Sequence, residues 1–156
     1  MDQRHEHKQA AMQDPHAARQ LAQATADHMY ANDAATQALG IQLLDAQPGY
    51  ARMQMTVCAD MLNGHRTCHG GFIFSLADSA FAFACNSYNL VTVAAGCAIE
   101  FLAPAFEGEL LVAEAVEQSR GSKTGVYDVT VTNATGRKVA LMRGKSHVWK
   151  GSVLPE

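Results

Sequence analysis

The chain has 156 residues, 48% of them hydrophobic and 17% charged, enough for one domain whose core needs neither disulfide nor metal support. Its formal net charge of −3 argues against a nucleic-acid binder, whose surface is ordinarily basic. The longest apolar run, Phe72 to Cys85, is broken by Ser75, Asp78 and Ser79 and is shorter than the roughly 20 residues of a membrane span, so no membrane partner is expected.

Residues 1–20 read as a flexible leader that holds His5, His7 and His16, with His28 close behind; a solvated leader suits this composition better than a metal-binding tail. The leader has neither an apolar core nor a cleavage-like site, which points to a cytoplasmic protein. Residues 21–156 are expected to form a single domain. A helix is predicted from about Ala17 to Leu39, closed by Gly40 as a left-handed cap. Strand patterns follow. "YARMQMTV" puts Ala51, Met53, Met55 and Val57 on one face, and "VYDVTVTN" does the same for Tyr127, Val129 and Val131. "LLVAEAVEQ" alternates as well, and "VTVAAGCAIEFLAP" reads as a strand stopped by Pro104. "NATGRK" is a turn leading into a last strand, "KVALMRGKSHVWK". Cys58, Cys68, Cys85 and Cys97 form no CxxC pair and read as buried free thiols.

Between these strands lies a helix, predicted from about Gly71 to Asn89, that is apolar nearly all round, with Phe72, Phe74, Phe81 and Phe83 on differing sides. Such a helix has to be enclosed. The expected fold class is therefore α+β, a hotdog fold in which a curved antiparallel sheet of five to six strands wraps one long central helix. Asp78 is the one acidic residue in that helix from Phe72 to Cys85, with no Lys, Arg or His beside it. Burying a carboxylate without a partner costs several kcal/mol or raises its pKa, so its presence asks for a reason.

The segments "MLNGHRTCHGGFIFSLADSAFAFACNS", "FLAP", "TGVYDV" and "VALMRGKSH" closely resemble the PaaI-type hotdog thioesterases of phenylacetate degradation, from about Tyr30 to His147. The pattern N-x5-H-G-G-x6-D is met by Asn63, His69, Gly70, Gly71 and Asp78. The resemblance implies hydrolysis of acyl-CoA thioesters, especially aryl- or hydroxyarylacetyl-CoA, by homotetramers built as dimers of dimers. No cofactor is expected, since CoA belongs to the substrate.

Thioester hydrolysis needs an activated water and a cradle for the developing oxyanion. Asp78 suits the role of general base, or of a nucleophile passing through a mixed anhydride. The first N–H groups of a helix lack internal partners and carry the positive end of its dipole, so the Gly70 N–H is assigned as oxyanion donor. Gly71 is read as a substrate contact. Asn63, in "NGH", is by itself a turn residue; the resemblance makes it an amide that positions water or the acyl group. His69 either polarises the carbonyl or holds the loop, with the supporting role preferred. Arg120 and Lys123 in "SRGSKTG" are candidates for CoA phosphate contacts, Arg143 and Lys145 being further basic residues; solvated surface charge is the competing reading for all of them. A P-loop is ruled out because Ser122, not glycine, precedes Lys123.

Rival chemistries share the segment. Cys68 beside His69 could form a thiolate nucleophile, and His65, Cys68 and His69 could ligate zinc, but no third orienting group and no acid after His65 support either. No metal is expected. A hotdog hydratase or dehydratase would want a histidine in the central helix, which has none. A non-catalytic acyl-CoA-binding protein would need the apolar helix alone. Finally, Gly70 and Asp78 are eight residues apart on one helix, roughly 12 Å at about 1.5 Å per residue. One helix cannot bring both to one carbonyl, so a homodimer with shared active sites is expected.

Overall fold

The computed structural model describes residues 14–155. The metal-tail reading of His5 and His7, and most of the predicted leader, fall outside them. Within them the first helix, α1, spans Pro15–Asn32 and so begins inside the predicted leader. Asp14 caps it by accepting the His16 N–H at 2.9 Å, and Pro15 fills the first turn, where its missing N–H costs nothing.

The single long helix predicted here is two. Asp33 leaves helical geometry (φ −100°, ψ 85°) and caps a second, short helix α2, Ala34–Ala38, taking the Thr36 N–H and hydroxyl on its two carboxylate oxygens at 2.9 and 2.6 Å. An aspartate that offers the next N–H groups a better acceptor than the helix itself is a natural break. Gly40 closes the pair as expected, at φ +66°, with Gly40 N donating to Gln37 O and Ile41 N to Thr36 O.

Six strands follow: β1 Gln42–Gln47, β2 Tyr50–Thr56, β3 Thr92–Phe101, β4 Leu110–Arg120, β5 Thr124–Asn133 and β6 Lys138–Val148. They form one antiparallel sheet in the order β1-β2-β4-β5-β6-β3. The alternating residues picked from sequence face inward: Ala51, Met53 and Met55, then Tyr127, Val129 and Val131, are buried. The third helix, α3, spans Gly70–Asn86 and packs into this concave face, with Leu76, Ala77, Ala80, Phe81, Phe83 and Ala84 in the core. Each large side chain so buried contributes about 1.5–3 kcal/mol.

α3 ends three residues before the predicted Asn89. The buried Asn86 amide turns back onto the start of β3, its Oδ1 accepting Thr92 N at 2.9 Å and its Nδ2 donating to Thr92 O at 2.8 Å. Ser87 completes the stop by donating to Ala84 O and accepting the Gly49 N–H, both at 2.8 Å. The last-placed strand, β3, lies at an edge of the sheet, and most of its residues are exposed in the single chain. Among the described residues no helix is long and apolar enough to cross a membrane.

Candidate active site

Asp78 lies near the middle of α3, on the side turned toward β3. It is partly buried, and burial alone pushes its carboxyl above the ordinary range, with no cation offsetting it. The described ion pairs involve other carboxylates. The Cys97 thiol on β3 stands 4.0 Å from its Oδ1, at the outer limit of a sulfur hydrogen bond. Asp78 opens onto a cavity of about 500 Å³, walled by Phe81 of the same helix, Met29 of α1, Val91 and Val93 at the start of β3, and Val153 near the C-terminus. That volume falls in the range of small-molecule sites, and the walls are mainly apolar.

The second cluster sits at the start of α3. His69 is its N-cap, with Nδ1 accepting the Gly71 N–H at 3.0 Å and the ring edge-on to Phe72. His69 thus caps the helix start, and the Gly71 N–H is engaged there. The Gly70 N–H is different: among the described residues it has no acceptor. A Cβ at Gly70 would lie 2.9 Å from the tip of the exposed Phe101 ring, which would have to shift to admit it.

Asn63 is bound into its own loop. Its Oδ1 accepts the N–H groups of His65 at 2.9 Å and Thr67 at 3.2 Å, and Nδ2 lies 3.0 Å from Thr67 Oγ1. Within one chain the Asn63, His69 and Gly70 cluster does not line the Asp78 cavity. The rival thiol has the wrong electrostatics. Cys68 is 5% exposed and burial raises its pKa, opposite to what a thiolate nucleophile needs. Among the described residues no group of three His, Cys, Asp or Glu side chains could hold a metal ion. All four cysteines are free; Cys68 and Cys85 are buried as predicted, whereas Cys58 and Cys97 are exposed in the single chain. Cys97 could not be tied to Asp78 from sequence, because 19 residues separate them and the contact forms only when β3 folds back along α3.

Known proteins place this geometry. A family model described as the thioesterase superfamily matches residues 65–140, which contain both glycines and Asp78. The acyl-coenzyme A thioesterase PaaI of Escherichia coli K12 is 52% identical over 128 residues, covering 82% of this chain and 91% of that protein. The chain belongs to the thioesterase superfamily, as a PaaI-type member. Its hotdog fold agrees with the solved structure of the E. coli PaaI protein from the phenylacetic acid degradation operon, at TM-score 0.85 and 50% identity, covering 86% of this chain and 97% of that one. A Streptococcus mutans protein solved with acetyl CoA bound is also similar, at TM-score 0.68 and 27% identity over 72% of this chain and 90% of its own.

As a thioester hydrolase the chain has its basic candidates in unequal positions. The Arg120 guanidinium stacks 3.7 Å from the Tyr88 ring centroid and lies 3.6 Å from Glu117 Oε2, the oxygen that accepts the Tyr127 hydroxyl at 2.9 Å. It fastens the end of β4 to the C-terminal end of α3. Arg143 is held by Asp128 through two bonds of 2.7 Å. Lys123 stands exposed in the turn between β4 and β5, its carbonyl accepting the Val148 N–H at 2.8 Å.

Proposed function

We propose that this thioesterase hydrolyses acyl-CoA thioesters, with aryl- or hydroxyarylacetyl-CoA as its substrates, in active sites shared between the two subunits of a homodimer. The observation that carries the reading is an Asp78 carboxylate without a counter-ion, raised in pKa by burial, on the wall of an apolar cavity. Such a carboxylate is a stronger base than one in water, and its ionised fraction grows as pH rises.

In the proposed reaction Asp78 takes a proton from water as the oxygen attacks the thioester carbon. The carbonyl oxygen gains negative charge against the Gly70 N–H, aided by the positive end of the α3 dipole. The C–S bond then breaks, and the proton held by Asp78 passes to the CoA sulfur, leaving free acid and CoA thiol. Direct attack by Asp78 to give a mixed anhydride, hydrolysed by water in a second step, balances equally. Either route needs only water besides the substrate, because CoA is the leaving group. Asn63 and His69 hold the loop that aims the Gly70 N–H, and Gly71 stands beside the acyl group. Lys123 is the better placed of the two basic candidates for a CoA phosphate, since the Arg120 charge is already engaged with Glu117 and Tyr88.

The exposed apolar edge supports the dimer. Val93, Phe101, Leu102 and Phe106 are 38%, 52%, 52% and 47% exposed in the single chain. Unpaired edge strands of this kind invite pairing with a second copy. Pairing of β3 with its copy across a two-fold axis sets the two α3 helices antiparallel, and two such dimers complete the assembly as a dimer of dimers.

The test is release of free thiol from a panel of acyl-CoA esters, followed with a thiol dye. Turnover of phenylacetyl-CoA or its hydroxylated form supports the reading. A protein that binds these esters without releasing thiol overturns it.

A further inference from the structure

The Asp78 cavity is built from two kinds of chain. Residues 65–140, matched by the superfamily, supply Asp78, Phe81 and the start of β3. The facing wall comes from outside that region, from His28, Met29 and Asn32 of α1 and from Ser152 and Val153. The C-terminal segment is fastened over the cavity by three bonds: Trp149 N to Val91 O at 2.7 Å, Val91 N to Gly151 O at 3.1 Å, and Leu154 N to the Asn89 side chain at 2.8 Å. α1 is fastened separately, its Tyr30 hydroxyl donating to Ile41 O at 2.9 Å.

We infer that His28 and Asn32 are specificity-determining residues that read a hydroxyl on the acyl group. The two are four residues apart on α1 and therefore share one face, one turn from each other. Asn32 Nδ2 donates to the His28 carbonyl at 2.8 Å, which fixes the amide and leaves Oδ1 as an acceptor. The His28 imidazole adds two ring nitrogens able to take part in hydrogen bonds. A hydroxyl both donates and accepts, so it matches this pair in a way that a bare phenyl or alkyl end does not. The remaining wall, Met29, Phe81, Val91, Val93 and Val153, is suited to the ring that would carry the hydroxyl. The chemistry of hydrolysis then belongs to the shared superfamily core, and the choice of acyl group to the segments laid across it.

This inference rests on the acyl-CoA reading, and its test separates the two. Binding of phenylacetyl-CoA and 4-hydroxyphenylacetyl-CoA is measured by calorimetry on the Asp78→Asn protein, where no turnover is required. Thiol release by the unsubstituted protein is scored apart and bears on the hydrolase reading alone. The expected result is a Kd about tenfold lower for the hydroxylated ester, the factor of one hydrogen bond. Adding His28→Leu or Asn32→Leu should collapse that ratio toward one, whereas His28→Gln, which keeps a donor and an acceptor, should retain most of it. A ratio unchanged by both leucine variants overturns the assignment. So does equal weakening of both esters, which would mark His28 and Asn32 as structural.

Discussion

At the scale of single residues, Asp78 is held in a state that the folded chain makes unfavourable. Burial raises its pKa, so the folded protein binds that proton more tightly than the unfolded chain does. The carboxylate therefore weakens the fold above its folded pKa, and the penalty fades as pH falls toward the unfolded value of about 3.9. Asp78→Asn should raise the melting temperature at neutral pH and lose that advantage in acid, as read by thermal denaturation across pH. The same substitution should lower kcat by about 10²–10⁴-fold, the usual contribution of a general base, with less change in KM. In the unsubstituted enzyme the acid limb of kcat should lie above the ordinary carboxylate range, because the base has to be ionised. Unchanged turnover in the Asn variant would make Asp78 a structural residue. In a single turnover in heavy-oxygen water, label on the Asp78 peptide marks an anhydride hydrolysed at the aspartyl carbonyl, whereas label in the acid product alone fits a general base or an anhydride opened at the acyl carbonyl.

At the scale of elements, the ends of α3 matter more than its length. Asn86→Ala would remove the amide that serves both backbone groups of Thr92. Leaving buried groups unpaired costs about 1–3 kcal/mol each, so the denaturation midpoint should fall clearly. A change within about 0.5 kcal/mol would mean that β3 starts without help from Asn86. This contact also shows what sequence patterns can and cannot convey. The inward faces of β2 and β5 follow a strict alternation and were readable, as was the enclosed helix. β1 was not singled out, because "QLLDAQ" lies under α1 at one edge and buries only Ala46 fully. The break at Asp33 and the stop at Asn86 depend on side chains choosing between two acceptors, which no periodicity records. For the site, Asp78 and the glycines were visible as a pattern along one helix. The cavity opposite them was not, since it joins α1, β3 and the C-terminus, the first and last of which lie over 100 residues apart in sequence.

At the scale of the whole molecule, the two halves of the proposed chemistry stand on one helix but not at one point. Gly70 and Asp78 are eight residues apart, about 12 Å along α3, while reacting atoms need both groups within about 3 Å. In the proposed dimer, pairing along β3 would bring the Gly70 end of one α3 beside Asp78 of the other, twice per dimer. The decisive experiment combines two inactive variants. Asp78→Asn removes the base. Gly70→Pro removes the N–H at the first helical position, where proline is best tolerated. Proline also brings a Cβ toward the Phe101 ring, where the glycine leaves only 2.9 Å. Gly70→Ala is therefore the control, since it adds the same Cβ and keeps the N–H; activity retained there assigns the proline effect to the lost donor. Refolded together in equal amounts, the two inactive chains should pair at random, so about half the dimers are hybrids. Each hybrid has one site damaged twice and one site intact, which predicts about a quarter of normal activity in the mixture. If each site lay within one subunit, every site in every dimer would carry one lesion. An inactive mixture in which mass analysis finds the hybrids would therefore refute the shared site, and a recovered quarter would place the Gly70 donor and the Asp78 base on different chains.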